Sequence, residues 1–172
     1  VEYVSGPGSV IYGNGAFYGI INVITKKGKH YNGSQLAVEA YSQDGYKTRL
    51  TYGNTLENGA DIVLSASGYK SRGEDYYFPA FDDPSTNFGV ANNLDDERNQ
   101  RLFLKLNYGP WLLEGAYVDR SKDDPAAAYD SDFNVKPNEL RDTNAYLNLM
   151  HESSLSDSLT NVSKIYYGHY AY

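Results

Sequence analysis

An alternation of apolar and polar residues with a period of two runs along most of the chain after residue 33. Such alternation is typical of β-strands, because successive side chains of a strand point to opposite faces of a sheet. Leu102, Leu104 and Leu106 share one face, and the face opposite carries two charged residues. The adjacent Tyr166 and Tyr167 leave the facing of the last strand open. The pattern predicts strands over 34–43, 46–55, 60–71, 100–108, 111–120, 143–152 and 159–172.

The connections between these strands alternate in length after a first hairpin at Asp44-Gly45. Short ones at 56–59, 109–110 and 153–158 separate long ones at 72–98 and 121–142. Outer-membrane barrels have short turns at one rim and long loops at the other, and their strands need roughly 9–11 residues to cross the bilayer. No apolar run approaches the roughly 18 residues of a transmembrane helix. The pattern predicts an all-β fold of about seven strands, part of a transmembrane antiparallel β-barrel.

Composition narrows the classes of function. The 172 residues include no cysteine, which excludes a disulfide scaffold, a thiolate zinc site and a cysteine nucleophile. The net charge of −7 argues against a nucleic-acid partner. Tyr46, Tyr108 and Trp111 lie near predicted strand ends, where barrels carry aromatic girdles.

The first 28 residues differ from the rest of the chain. Glycine-rich turn sequences separate a short opening strand from the β-branched run Ile20–Thr25, which predicts a buried strand. Residues 2–25 resemble the last part of the plug domain of TonB-dependent outer-membrane receptors. The matching residues are Glu2, Gly6, Pro7, Ser9, Tyr12, Gly13, Ala16, Gly19, Asn22, Ile24, Thr25 and Lys26. Two positions depart from the family pattern, with Ser5 in place of an arginine and Tyr18 in place of a glycine.

The resemblance implies two parts, the end of a plug domain over 1–28 and the first strands of an incomplete barrel over 29–172. We expect the chain to be a piece of a longer protein, because both ends lie within patterned sequence. The implied function is energy-coupled uptake of a scarce, bulky ligand across the bacterial outer membrane. A ferric siderophore is the first expectation for that ligand, since such receptors are the commonest members. The implied partners are the TonB energy-coupling complex and outer-membrane lipid, and no cofactor is expected.

Five aromatic residues are candidate ligand contacts. Tyr76 and Tyr77 lie in the first long loop, where aromatic rings at a barrel mouth can stack on a chelate or a sugar. The resemblance implies a ligand contact for Tyr12, with Phe17 and Tyr18 behind it. The alternative for all five is packing within the loop or the plug.

Metal binding and catalysis have little support in the sequence. The two long loops carry 13 of the 22 acidic residues, and Asp130–Asn134 begins like a calcium loop. Val135 and Arg141 then stand where that loop needs a glycine and a bidentate acid, so no metal site is predicted. No nucleophile, base and orienting acid come together in the sequence, and we expect no enzyme.

Two other classes of protein remain open. A passive outer-membrane barrel or adhesin would use the loops for attachment and residues 1–28 as a lid, and it would conduct ions in a bilayer. A soluble carbohydrate-binding β-protein would stay in solution without detergent, but its apolar faces would need a second sheet to cover them.

Overall fold

The computed structural model describes residues 1–8 and 17–172. The N-terminal part, residues 1–28, contains a small antiparallel hairpin of β1 (Glu2–Ser5) and β2 (Gly19–Asn22). The predicted buried strand Ile20–Thr25 is therefore wrong in extent, since β2 ends at Asn22. It is also wrong in burial, because Ile21, Val23 and Ile24 are exposed. The physical reason is that no described residue forms a second layer over this two-stranded sheet.

Seven longer strands form one antiparallel sheet, as the alternation predicted. The strands are β3 (Gly33–Tyr41), β4 (Gly45–Thr55), β5 (Asp61–Ser71), β8 (Glu97–Tyr108), β9 (Trp111–Asp123), β10 (Glu139–Ser156) and β11 (Leu159–Ala171). Their order across the sheet is β11-β10-β9-β8-β5-β4-β3, so neighbours in space are neighbours along the chain apart from the loop insertion between β5 and β8.

The insertion between β5 and β8 has its own short elements. β6 (Tyr76–Tyr77) pairs with β7 (Val90–Ala91), and two 3-10 helices lie between them at Pro79–Phe81 and Pro84–Gly89. A third 3-10 helix, Gly28–His30, precedes the large sheet. No helix within the described residues is long and apolar enough to span a membrane.

The strand register gives the large sheet two chemically different faces. Residues that pair directly across an antiparallel ladder share a face. We call one the apolar face; its residues include Leu36, Val38, Leu50, Leu64, Leu102, Leu104, Leu106, Leu113, Leu147, Leu149 and Ile165. We call the other the polar face; its residues include Glu39, Lys47, Arg49, Arg101, Lys105, Glu114, Arg120 and Asp142. The register also settles β11, where Tyr167 pairs with Leu147 on the apolar face and Tyr166 with Asn148 on the polar face.

Short and long connections lie at opposite ends of the sheet. The hairpins after β4, β8 and β10 form the short-turn end, whereas the connections 72–96 and 124–138 lie together at the long-loop end. The long loops are shorter than the sequence predicted, because polar residues at their edges continue the ladder. Glu139, for example, pairs with Asp123 and begins β10 four residues before the predicted start.

The most deeply buried apolar cluster lies in the long loops and not on the sheet. Ala91 and Leu94 from the first loop pack with Phe133 from the second, and Phe78 and Phe81 lie against them. Phe81 and Phe133 stack with ring centroids 4.2 Å apart. The two long loops therefore form one packed layer at this end of the sheet.

Candidate ligand site on the polar face

The polar face carries several ion pairs between neighbouring strands; we also call this face the wall. Arg120 donates two hydrogen bonds, of 2.9 and 3.0 Å, to the carboxylate of Glu97. Nearer the first edge strand, the ammonium of Lys47 lies 3.6 Å from Glu39. Charged side chains are costly to bury in an apolar environment, so we expect this face to meet water or another polar surface.

The end of the N-terminal part docks on this wall through a small polar network. Lys105 Nζ donates to Thr25 Oγ1 at 2.7 Å, and Thr25 Oγ1 donates to Glu114 Oε2 at 3.3 Å. Glu114 also accepts from the Tyr146 hydroxyl at 3.1 Å and lies 3.7 Å from the Lys105 ammonium. The Lys105 side chain is only 13% exposed, so this network holds residue 25 against β8 and β9.

A second contact fixes the chain just after Thr25. The buried Asp61 carboxylate, at the start of β5, accepts the backbone N–H groups of Gly28 at 2.7 Å and Lys29 at 3.2 Å. It also accepts the Thr55 hydroxyl at 2.7 Å. These bonds satisfy the carboxylate and tie the 3-10 helix to the short-turn end of the sheet.

Two adjoining clefts open on the polar face towards the long-loop end. The first, which we call the outer cleft, has a volume of about 310 Å³ and extends into the first long loop, and its lining includes Tyr76, Glu74 and Lys122. The second, which we call the inner cleft, has a volume of about 260 Å³ and lies deeper along the polar face. It is lined by Tyr41, Lys47, Tyr69, Glu97, Asn99 and Arg101. Tyr69 and Glu97 belong to both. Together the clefts combine aromatic rings with charges of both signs, which suits a ligand with flat and ionised parts.

The charges in these clefts are not all compensated. Lys122 forms an ion pair and hydrogen bond with Asp95, and Glu97 is held by Arg120. In contrast, Arg101 makes no ion pair with any described residue. Its guanidinium group gives the inner cleft an uncompensated positive charge.

The predicted loop tyrosines lie where a ligand could reach them. Tyr76 lines the outer cleft and is 40% exposed, whereas Tyr77 is 56% exposed and points its hydroxyl to Asp82 Oδ2 at 2.9 Å. That hydrogen bond to a carboxylate raises the pKa of the Tyr77 phenol above its usual value. The neighbouring Phe78 instead packs in the loop layer against Phe133. The structure therefore leaves Tyr76 as the ligand candidate in a cleft, with Tyr77 beside it.

The loop between these tyrosines and β7 is shaped by a local cap. Asp83 Oδ1 accepts the backbone N–H of Ser85 at 2.8 Å and its hydroxyl at 2.5 Å. The side-chain bond, and then the backbone bond, lower the pKa of the Asp83 carboxyl below its usual value. This cap holds the turn that carries the exposed Phe88.

The candidates from the N-terminal part have a different outcome. Phe17 and Tyr18 are exposed just before β2, and no aromatic pair joins them to Tyr76 or Tyr77 in the described parts of the chain. Tyr12 lies outside the described residues. The contribution of these three residues to a ligand site stays a prediction.

Tyr41 and Tyr69 are cleft residues that the sequence analysis did not single out. Their rings meet edge to face with centroids 6.0 Å apart. The alternation over 60–71 places Tyr69 on the same face as Ser65 and Ser67. That placement was the one indication in the sequence that Tyr69 faces the cleft. The pairing of Tyr41 with Tyr69 needed the three-dimensional arrangement of β3 and β5, which lie on either side of β4.

Within residues 1–8 and 17–172 the structure brings together no group of three His, Asp or Glu side chains that could hold a metal ion. Several loop acids are instead engaged locally. Asp124 accepts the backbone N–H groups of Ala126 and Ala128, and Lys136 pairs with Asp123 at 3.0 Å.

Comparison with known proteins gives a limited match. The vitamin B12 transporter BtuB of Vibrio vulnificus (strain CMCP6) is 31% identical to this chain over 79 residues. The matched segment is 46% of this chain and 13% of the transporter's length. No family model and no solved structure matches the chain. The chain is thus similar to a small part of a vitamin B12 transporter, and this similarity loosely supports the family resemblance of residues 2–25.

Proposed function

We propose that this chain is part of an outer-membrane receptor that imports a scarce, bulky ligand with energy supplied through the TonB complex. Residues 1–28 are the end of its plug domain, and residues 29–172 are strands of its barrel wall. The observation that carries the proposal is the two-faced sheet. One face is a band of leucines that no described residue covers with a second layer, and the other bears paired charges and holds the N-terminal part.

The dimensions of the sheet support a membrane location. Tyr108 and Trp111 pair at the short-turn end of the apolar face, and Arg98 stands ten residues before Tyr108 on the same strand. Ten residues at roughly 3.4 Å each span about 34 Å along a strand. A tilt of roughly 35–45° reduces this to about 25 Å, the height of the apolar band of an outer-membrane barrel.

The sheet needs further strands to work in a bilayer. β3 and β11 are edge strands in this structure, and unpaired backbone groups at an edge are not tolerated in hydrocarbon. The barrel must therefore be closed by strands beyond those described, and their residues would complete the ligand site.

The docking of Thr25 and Gly28 on the polar face supports the plug assignment. A segment that enters a barrel would meet the lumen wall near the short-turn rim and be held there by polar contacts. The Lys105–Thr25–Glu114 network and the Asp61 carboxylate supply such contacts. The preceding residues would then block the lumen until work is done on the plug.

The cargo we propose first is a ferric siderophore. Tyrosines beside Arg101 and Lys47 in the inner cleft suit an anionic chelate with flat groups. The similarity to a vitamin B12 transporter favours a second candidate, vitamin B12, which is also bulky and scarce.

Uptake by cells that carry the full-length protein tests both candidates. We expect labelled ferric siderophore to accumulate in an energised strain and not in a strain without TonB. Accumulation of labelled cobalamin instead would replace the first cargo with the second. Uptake of neither, or uptake without TonB, would contradict energy-coupled import of these ligands.

Variants of the clefts link uptake to this structure. We expect Tyr76→Ala and Arg101→Gln each to weaken ligand binding by about ten-fold, as loss of one aromatic contact or one charged hydrogen bond predicts. Phe88→Ala is the matched control, because Phe88 is exposed on the same loop and lines neither cleft. Equal loss in all three variants would argue against the clefts as the ligand site.

Ion conductance separates the proposal from a passive barrel. We expect the full-length protein in a planar bilayer to conduct little, since the plug fills the lumen. A steady open-channel current would favour the passive barrel.

A further inference from the structure

The apolar face carries an unusual pair of like charges at its long-loop end. Lys70 on β5 pairs directly with Arg98 on β8 in the strand register, and both side chains belong to exposed residues. Among the described residues of β3, β4, β5 and β8, these are the only charged residues on the apolar face. We call Lys70 and Arg98 the basic rim.

No acid within residues 1–8 and 17–172 compensates this pair. Arg98 pairs with Ser121 of β9, and the carboxylates of Asp119 and Asp123 lie two residues to either side on the same face. Asp123 is paired with Lys136 at 3.0 Å. Asp119 is already engaged, since Arg141 donates two hydrogen bonds of 2.9 Å to it and Thr143 donates a third of 3.1 Å. Neither Lys70 nor Arg98 makes an ion pair with a residue that the structure describes. Like charges directly opposite on two strands destabilise a sheet unless an anion lies between them.

The position of the basic rim identifies the kind of anion. From Arg98 towards the short-turn end, the apolar face of β8 continues through Leu102, Leu104 and Leu106 to Tyr108. Tyr108 pairs with Trp111 of β9 in the strand register. The rim is therefore at the boundary where hydrocarbon ends on the long-loop side. A molecule that fills both environments has acyl chains for the leucines and a negative group for the two cations, and a phosphorylated lipid has both.

We propose that Lys70 and Arg98 bind the phosphate of a membrane lipid in the outer leaflet. Arg supplies a planar fork that can hold two phosphate oxygens, and Lys supplies a mobile point charge beside it. Tyr46, which pairs with Lys70 from β4, adds an exposed hydroxyl next to the headgroup. This assignment rests on the proposed membrane location of the sheet.

Lipid titration of the full-length protein in a non-ionic detergent tests the assignment, with native mass spectrometry counting bound lipid. The probes are dioleoyl phosphatidic acid, dioleoylglycerol as the same lipid without phosphate, and inorganic phosphate as a competitor. Each basic residue near an anionic lipid surface changes binding by about five-fold. We expect the double variant Lys70→Gln/Arg98→Gln to bind phosphatidic acid roughly 30-fold more weakly than the unaltered protein.

Two further variants keep the result interpretable. Lys70→Arg/Arg98→Lys retains both charges and should retain binding to within a few-fold, which separates loss of charge from loss of fold. Lys26→Gln/Lys164→Gln removes two exposed cations elsewhere and should bind as the unaltered protein does. Circular dichroism of each variant checks the strand content.

The possible failures are distinct. Equal binding of phosphatidic acid by the unaltered and Gln variants would overturn the rim assignment, as would equal binding of dioleoylglycerol. Complete competition by inorganic phosphate would assign the rim to a free anion and overturn the lipid. A protein that does not enter membranes would overturn both this assignment and the proposed function, whereas an inserted protein without phosphate preference would overturn the rim alone.

Discussion

At the scale of single residues, Gly28 is a position where the N-terminal part packs tightly against the sheet. A Cβ at this position would lie 2.3 Å from the carbonyl oxygen of Asn54 and 2.5 Å from that of Ile62. Backbone atoms of two paired strands cannot move aside for it, so Gly28→Ala must lift the 3-10 helix away from Asp61. We expect the free energy of unfolding to fall by about 1–3 kcal/mol, measured by urea titration of the protein in detergent.

Gly68→Ala is the control for this change. Gly68 lies in the middle of β5, and a Cβ there meets no atom within 4 Å. We expect little change in stability from it. A similar loss from both substitutions would show that the effect comes from glycine as such and not from close packing at residue 28.

At the scale of elements, the docking network should behave as a coupled unit. The hydrogen bond from Lys105 to Thr25 joins the N-terminal part to β8, and Lys105 also pairs with Glu114. A double-mutant cycle of Thr25→Val and Lys105→Met isolates the first contact. We expect a coupling free energy of about 1 kcal/mol, obtained from urea unfolding of the two single variants and the double variant.

The matched cycle pairs Thr25→Val with Lys47→Met, because Lys47 is on the same face but pairs with Glu39. Its two effects should add to within about 0.5 kcal/mol. Coupling of equal size in both cycles would mean that Thr25 senses the charge of the whole wall and not its hydrogen bond to Lys105.

The long loops make a second element-scale prediction, through Phe133. This buried ring stacks on Phe81 and meets Phe78 edge to face. Phe133→Ala should cost about 3 kcal/mol of local stability and expose both loops to protease, while the seven strands persist. Limited proteolysis followed by mass spectrometry of the cut sites measures this.

Phe88→Ala again serves as the comparison, since its ring is exposed. Cleavage within 72–96 and 124–138 should increase for Phe133→Ala alone. Cleavage in the strands instead would show that the loop layer supports the sheet, contrary to the separation of the two in this structure.

The strands and loops also show which parts of the fold the sequence alone predicts. Alternation is local, so it predicted all seven long strands and nearly every facing. It missed the first four residues of β10, because the polar sequence from Glu139 to Asp142 is typical of a loop. Those residues are strand because they pair with β9. The packing of Phe133 on Phe81 was beyond sequence analysis for a similar reason, since the two loops meet only once the strands have brought them to one end.

The candidate site divides in the same way. Tyr76 was singled out as a candidate because aromatic residues in a polar loop stand out, and its role stays a prediction. The polar face is predicted by the alternation that places Lys47 and Arg101 opposite apolar residues. The inner cleft depends on Tyr41 and Tyr69 meeting from strands on either side of β4. That neighbourhood is set by strand order and register, which no single stretch of sequence contains.

At the scale of the whole molecule, the two faces predict opposite responses to the same new charge. Leu102 is 55% exposed on the apolar face. Arginine at such a position would change the stability of a water-soluble sheet by only about 0.5 kcal/mol. Near the middle of a bilayer it costs roughly 2–4 kcal/mol. We therefore expect Leu102→Arg to reduce sharply the folded fraction of the full-length protein in phosphatidylcholine vesicles.

Asn144→Arg provides the matched change on the polar face, where Asn144 on β10 is exposed and pairs with Val118 and Tyr170. Arginine there would meet lumen water, so the folded fraction should stay close to that of the unaltered protein. The resistance of the folded protein to added protease measures both variants in the same vesicles. If Leu102→Arg folds as well as Asn144→Arg, the leucine band does not face lipid, and the membrane assignment of this sheet is wrong.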